Sequence, residues 1–421
     1  MNRTLIASIN GEFVGRLADE GGYWTFQYAA SWLASPIGFP ISPAFPLATE
    51  KFSDNSTTRN VAWFFDNLLP EEAARAVLAK DAKVTIDDAW GLLAYFGAES
   101  AGAIALLPDG GDVAPASLVA LSHAELQRRI DQMPRRSLSA DAPKRISLAG
   151  AQHKLAVTVV NGELFEPTGN ECSTHILKPD SKNSAYPHTA INEHFCMRLA
   201  SALKLTVPAT DVRRVPSPVY LIERFDRVQT DTRLARSHAL DALQLLSLDR
   251  QLKYQNASAT TLKTCIDKCG AELKTKQAIF AWIVFNVLSG NADAHMKNIS
   301  FLIDSSGIRL APFYDLVSTV VYATPQYDRE GPHWPNVTLS MPIGSALMYS
   351  DVRRHDLLQV ADELDLGPKV AQRILDELVR NIEPAALSLL ATLFETVTAG
   401  ERRLLSLIHQ LPIKEMSKKL T

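Results

Sequence analysis

Between Lys276 and Leu288 the chain carries an apolar stretch, Ala278-Ile279-Phe280-Ala281-Trp282-Ile283-Val284-Phe285-Asn286-Val287-Leu288. It is too short to span a bilayer and reads as a buried helix. Gly290 stands where such a helix stops, since glycine enters the left-handed region without steric cost. Ile299 to Ile303 reads as a strand, Asp304 to Gly307 as a turn and Ile308 to Leu310 as the return strand. Asp293 and Asn298 then fall on the loop between helix and hairpin, and Asp315 falls just beyond the second strand. Three oxygen-bearing side chains are thereby expected at one end of a rigid frame. As isolated residues, Asp293 and Asn298 are equally well read as turn formers, with His295 and Lys297 as solvated loop positions.

An Asp, an Asn five positions later and a second Asp past a strand pair is the spacing of a phosphoryl-transfer site. In such sites the first Asp accepts the proton of the attacking hydroxyl, and the Asn and second Asp hold magnesium against the phosphates. A second constellation lies upstream. Arg145 to Lys154 is a loop of small residues (Ser147-Leu148-Ala149-Gly150-Ala151-Gln152-His153), followed by a Leu155–Val160 strand, an Asn161-Gly162 turn of type I′ and a return through Phe165. A third strand, Thr174 to Pro179, carries Lys178 at its end. Backbone N–H groups of a small-residue loop, with a lysine one hairpin later, are one way to grip ATP phosphates. The loop is neither a Walker A sequence nor Gly-x-Gly-x-x-Gly. Lys178 is also readable as a surface lysine at a strand end.

Beyond Pro187 the apolar period turns helical over Ala190–Leu205, with Ile191, Phe195, Leu199, Ala202 and Leu203 on one face and Glu193 on the same helix. A kinase places on such a helix the glutamate that pairs with its strand lysine; a solvent-facing Glu is the alternative. Val219 to Arg227 reads as an edge strand entering a hinge, where the backbone around Glu223, Arg224 and Phe225 would meet the adenine edge. Glu223 and Asp226 are also readable as surface charges paired with Arg224 and Arg227.

Taken together the chain resembles the HipA family, bacterial serine/threonine kinases that act as toxins of HipBA-type toxin–antitoxin modules. The matching segments, in family order and covering roughly residues 1–385, are Phe64-Phe-Asp-Asn-Leu-Leu-Pro-Glu71, Ile146-Ser-Leu-Ala-Gly-Ala-Gln-His-Lys154, His175-Ile-Leu-Lys178, Asn192-Glu193, Glu223-Arg-Phe-Asp-Arg227, Asp293-x-His295-x-Lys297-Asn298 and Pro312-Phe-Tyr-Asp315. The resemblance implies an α+β, two-lobed, protein-kinase-like fold with a β-rich N-terminal subdomain and a mainly helical C-terminal lobe. It implies Asp293 as catalytic base, and Asn298 and Asp315 as ligands of Mg2+. The ATP site would be drawn from Ala149, Gly150, Ala151, Gln152, His153, Lys154, Lys178, Glu223, Arg224, Phe225, His295, Tyr314, Asp315, Leu316 and Val317. Ser147 matches the serine that the family autophosphorylates, which ejects the phosphate loop and silences the kinase. The family commonly has Glu where His153 stands. It also implies a HipB-like helix-turn-helix antitoxin as partner, operator DNA reached mainly through that antitoxin, and a Ser/Thr-bearing protein substrate, in studied relatives a tRNA-charging enzyme.

Composition fits this class. A chain of 421 residues with a 46% hydrophobic share has room for two or three packed units with full cores. Boundaries are expected near 110 and 238: an N-terminal subdomain over 1–110, a nucleotide-binding part over 111–238 and a helical lobe over 239–421. A net charge of −3 argues against an autonomous nucleic-acid binder. The start, Met1 to Gly11, reads as a strand entering an Asn-Gly turn rather than a signal peptide, which with the lack of an 18-residue apolar run gives a cytoplasmic, non-membrane expectation. Cys172, Cys196, Cys265 and Cys269 have no zinc or disulfide spacing and read as reduced thiols. Helices are expected at Trp63–Leu69 and Ala89–Phe96, a long proline-rich loop over Thr324–Pro342 and a frayed basic tail over Lys414–Lys419. Two alternatives remain open at this level: a small-molecule or lipid kinase of the same broad fold, and a catalytically silent co-repressor.

Overall fold

Period-two alternation along Arg3–Ile9 buries Leu5, Ala7 and Ile9. Asn10 and Gly11 follow at φ 53° and 91°, both left-handed as a type I′ turn requires. The strand lies between Glu12–Glu20 and Ile104–Pro108 in a five-stranded antiparallel sheet, completed by Tyr23–Tyr28 and Phe52–Ser53. Of the helices expected beside it, Ala89–Phe96 forms as read, with Asp88 accepting from the Gly91 N–H at 2.9 Å. The other begins three residues earlier than expected, at Asn60–Asp66. Its first turn is capped from a distance, because the Asp54 carboxylate accepts from the Val61 and Ala62 N–H groups at 2.9 and 3.1 Å.

The computed structural model describes residues 3–110, 115–144, 148–150, 152–231, 233–323 and 334–421. They form two units interleaved along the chain: Met1–Pro179 with Arg213–Leu252 and Ser300–Ala311, and Asp180–Val212 with Lys253–Ile299 and Pro312–Thr421. The first unit also holds a mixed-length sheet in the order Pro218–Glu223, His175–Pro179, Leu155–Val160, Glu163–Pro167 and Leu118–Ala120. Its inner face packs Leu155, Val157, Leu164, Leu177 and Leu221 against Leu126 and Ile130 of the His123–Gln132 helix. Pro218–Glu223 is not the edge strand expected, since the strand ending at Arg214 lies outside it in the sheet order. The hairpin expected at 299–310 forms as Ser300–Asp304 and Gly307–Leu310, with Ala239–Asp241 added alongside.

The second unit is helical. Glu272–Ser289 buries Ile279, Phe280 and every residue from Trp282 to Ser289. Thr189–Ala202 and Pro368–Leu393 are the other long helices. Gly290 ends the buried helix at φ 76° as expected, and a Cβ there would lie 2.6 Å from Val320 and 2.7 Å from Pro412. Two readings are corrected. Thr338–Ile343 is a strand paired with Ala346–Met348 rather than the end of a loop, because Leu339, Met341 and Ile343 alternate into the core; residues 324–333 lie outside the described set. The basic tail is not frayed: the chain continues helically through His409–Glu415 and Met416–Leu420, and Met416 and Leu420 are fully buried. All four cysteines are buried free thiols. No helix among the described residues is long and apolar enough to cross a membrane.

Candidate active site

In the second unit the loop after Gly290 is held by a ladder of buried amides. Asn286, a polar residue inside the apolar helix, donates to the Trp282 carbonyl and accepts from the Asn291 side chain, each at 2.9 Å. Asn291 in turn accepts from the Asp293 N–H at 3.1 Å. Ala292 is clamped on both sides, its N–H on the Thr319 hydroxyl and its carbonyl on the Ser340 N–H, both at 2.8 Å. The result is an exposed Asp293 in a stretch where Asn291, Ala292, Ala294, Met296, Lys297 and Asn298 are all buried. Lys297 is therefore not a solvated loop residue. His295 accepts from the Lys297 N–H through Nδ1 at 3.2 Å and meets the Tyr254 ring edge-on at 5.1 Å.

Asn298 donates through Nδ2 to the Asp293 carbonyl at 3.0 Å. A carbonyl only accepts, so this bond fixes which end of the amide is which and leaves Oδ1 as the end a hard cation can use. Asp315 sits at φ 58°, a left-handed conformation uncommon outside glycine, Asn and Asp. Its neighbours hold that conformation. Phe313 donates its N–H to the Thr206 carbonyl at 2.8 Å and stacks on Trp282. The Tyr314 hydroxyl donates to the Lys297 carbonyl at 2.7 Å, which ties the Asp315 segment to the one carrying Asn298. Leu316 is buried and Val317 half-buried. Asn192, on the same helix as Glu193, then clasps Ser318: its Oδ1 accepts from the Ser318 N–H and its Nδ2 donates to the Ser318 carbonyl, both at 2.9 Å. Glu193 is itself buried, so the solvent-facing alternative does not hold.

One carboxylate and one amide oxygen, with an exposed second carboxylate nearby on the same loop, are a donor set suited to Mg2+. That ion keeps several waters and is completed by substrate phosphates rather than by an all-protein cage. Asn298 and Asp315 fit the role of ligands on this ground.

In the first unit, Ala149, Gly150 and Lys154 are tied together and to the Pro70–Glu71 segment. Lys154 donates to the Ala149 carbonyl at 2.7 Å, and Gly150, at φ 107°, pairs with Pro70 and accepts from the Glu71 N–H. That φ is one L side chains rarely adopt, so the position favours glycine. Gln152 is exposed and His153 half-buried; burial pushes the His153 imidazole below its ordinary value, which keeps it neutral near pH 7. Arg145, Ser147 and Ala151 lie outside the described residues. Lys178 is buried rather than surface-capping, with its ammonium 5.7 Å from the centre of the Tyr220 ring.

At the expected hinge, Glu223 is exposed, Phe225 half-buried and the Arg224 N–H donates to the Thr174 carbonyl at 2.9 Å. The Arg224 side chain is committed to protein partners. It is buried in an ion network with Asp226 at 2.6 Å and Glu99 at 3.2 Å, joined by Arg227, Lys144 and Arg236. Burial raises the Glu99 carboxyl, but Lys144 and the three arginines outweigh it and hold Glu99 well below the usual range. Glu223 and Asp226 thus part company: one is at the surface, the other in the core. Arg224 could serve a nucleotide only through its backbone.

Sequence reading missed Glu99, Asn192 as an anchor, Asn286, Asn291, Thr319 and Ser340. Asn286 alone carried a signal, a polar residue in an otherwise apolar helix. The others act through bonds between distant segments.

A β-rich unit with a lysine-bearing sheet and a helical unit with an Asp-Asn-Asp loop define an α+β fold of the two-lobed, protein-kinase-like class. Residues 5–107 match the HipA N-terminal domain and residues 146–386 the HipA-like C-terminal domain. The chain belongs to the HipA family. It is 33% identical over 386 residues to a putative kinase of Sinorhizobium fredii, spanning 88% of each chain. It is 32% identical over 339 residues to the serine/threonine-protein kinase toxin HipA of Shewanella oneidensis, spanning 76% of each. A solved Shewanella oneidensis HipA, in a complex with HipB and its operator DNA, superposes with a TM-score of 0.82 at 27% identity, covering 99% of this chain and 97% of that one.

Proposed function

We propose that this chain is an ATP- and Mg2+-dependent serine/threonine protein kinase and the toxin of a toxin–antitoxin pair. In this reading Asp293 takes the proton of a protein Ser or Thr hydroxyl, whose oxygen then bonds the γ-phosphorus of ATP as ADP leaves. Asn298 and Asp315 hold the metal, which neutralises phosphate charge when bound. Gripping the nucleotide falls to the 149–154 backbone, Lys178 and the 223–225 backbone, and His295 with Tyr314 to Val317 lines the catalytic side. The observation that carries the reading is the exposed Asp293 on a loop most of whose other residues are buried, alongside an Asp315 held in a left-handed conformation. Such preorganisation around one exposed carboxylate suits general-base chemistry.

The relatives extend the proposal. A helix-turn-helix antitoxin related to HipB is the partner, operator DNA is reached chiefly through it, and the kinase works in the cytoplasm on a protein such as a tRNA-charging enzyme. Autophosphorylation at Ser147 would switch it off, since a phosphoserine dianion beside the phosphate loop repels ATP. The test is growth. Expressed alone in bacteria, the wild-type chain is expected to arrest growth, and Asp293→Ala at equal protein level is expected to be harmless. Co-expression of a neighbouring helix-turn-helix protein should restore growth and co-purify. Arrest that persists with Asp293→Ala would rule out a catalytic toxin.

A further inference from the structure

Strand Thr338–Ile343 alternates: Leu339, Met341 and Ile343 are buried, while Thr338 and Pro342 are exposed and Ser340 is half-buried. Period two therefore puts Ser340 on the open face, on the side where Asp293 emerges. Two bonds join Ser340 to the loop that carries Asp293. The Ser340 N–H donates to the Ala292 carbonyl at 2.8 Å, and the Ser340 hydroxyl donates to Asp293 Oδ1 at 3.0 Å. The backbone bond fixes where the strand stands against the loop; the side-chain bond then reaches the carboxylate itself.

We propose that Ser340 is a positioning residue for Asp293, holding one carboxylate oxygen so that the other is presented to the acceptor hydroxyl. This rests on the kinase reading above. An Asp side chain on a surface loop otherwise rotates about two bonds, and only a fraction of its orientations place an oxygen in line with an incoming hydroxyl. A serine is suited to the task because its hydroxyl sits one bond from a Cβ that the strand already fixes. Alanine at 340 keeps the strand and the Ala292 bond but releases the carboxylate, and threonine restores the hydroxyl on a β-branched side chain that strands favour. During transfer the acceptor proton passes to Oδ2 of Asp293, the acceptor oxygen bonds to phosphorus and the bond to the ADP oxygen breaks. The Ser340 proton stays where it is.

The test compares full-length wild type, Ser340→Ala, Ser340→Thr and Asp293→Asn with γ-labelled Mg·ATP and heat-treated bacterial lysate as acceptor. Maximal label transfer should fall about tenfold in Ser340→Ala, the scale of a modest loss of alignment, with the KM for Mg·ATP unchanged. Ser340→Thr should recover most of the rate. A Ser340→Ala rate equal to wild type overturns the proposal, as does a loss that Ser340→Thr fails to rescue. So does phosphate found on Ser340 itself by peptide mass analysis, which would make the hydroxyl an acceptor instead. Failure of the kinase reading shows separately, as no transfer by wild type or equal transfer by Asp293→Asn.

Discussion

Asp293 and Asp315 both carry carboxylates, and the structure gives them different surroundings: the first exposed, the second half-buried at φ 58°. Asp293 is exposed and accepts from Ser340; with the proton-accepting role proposed for it, Asp293→Asn is expected to cut phosphoryl transfer by roughly 10²–10⁴-fold while nucleotide binding stays near wild type. Single-turnover transfer beside a fluorescent-nucleotide titration checks both halves. Asp315→Asn should do the opposite. Asn tolerates the left-handed conformation, so the backbone survives, but the ion loses its anionic oxygen and Mg·ATP affinity should drop at least about tenfold. Equal affinity in a titration of wild type and variant would remove Asp315 from the metal shell. The placement of these two residues and Asn298 on one loop and just past one hairpin was legible in the sequence, because turn and strand signals lie between them. Their supports were not, since Thr319 and Ser340 reach the loop from later segments and neither has a spacing of its own.

Elements were read well where one local rule decides them. The Asn161-Gly162 turn, the Gly290 stop and the Ala89–Phe96 helix all follow from residue type at a single position. Reading failed where a distant residue decides, as with Asp54 pulling the start of the next helix forward to Asn60, or where burial overrides charge, as in the lysine-rich final helix anchored by Met416 and Leu420. The Thr189–Ala202 helix shows what such distant bonds do. Asn192 ties it to the segment just after Asp315 through both main-chain groups of Ser318. Asn192→Leu would leave a buried N–H and a buried carbonyl unpaired, with an expected loss of about 1–3 kcal/mol for each group not re-satisfied. Denaturant unfolding measures that loss, and a fall in Mg·ATP affinity without change in the affinity for free ATP would place the effect at Asp315.

At the scale of the whole molecule, two buried histidines set an acid limit. Burial pushes His238 and His194 down to about 4; the neutral His238 ring donates from Nε2 to the Ile41 carbonyl at 2.8 Å, and Arg198 adds to the effect at His194. In the unfolded chain both titrate near 6.5. The unfolded state therefore binds more protons between those values, so each ring's contribution is intact above pH 6.5 and is lost as pH falls toward 4, at no more than about 1.4 kcal/mol per pH unit for each ring. Denaturant midpoints measured across that window should fall less steeply in His238→Gln than in wild type. The family and its broad architecture were visible in the ordered run of short segments, whereas the interleaving of the two units was not, because it is a property of long-range pairing alone. That interleaving, with Gly290 packed so closely beside Pro412, has a consequence for synthesis. A ribosome that has already made the Asp293 loop has yet to make Ser340, Pro412 and the Met416–Leu420 helix that support it. The nascent chain thus carries Asp293 well before the segments that hold its loop, and that support can form only after those later segments are made.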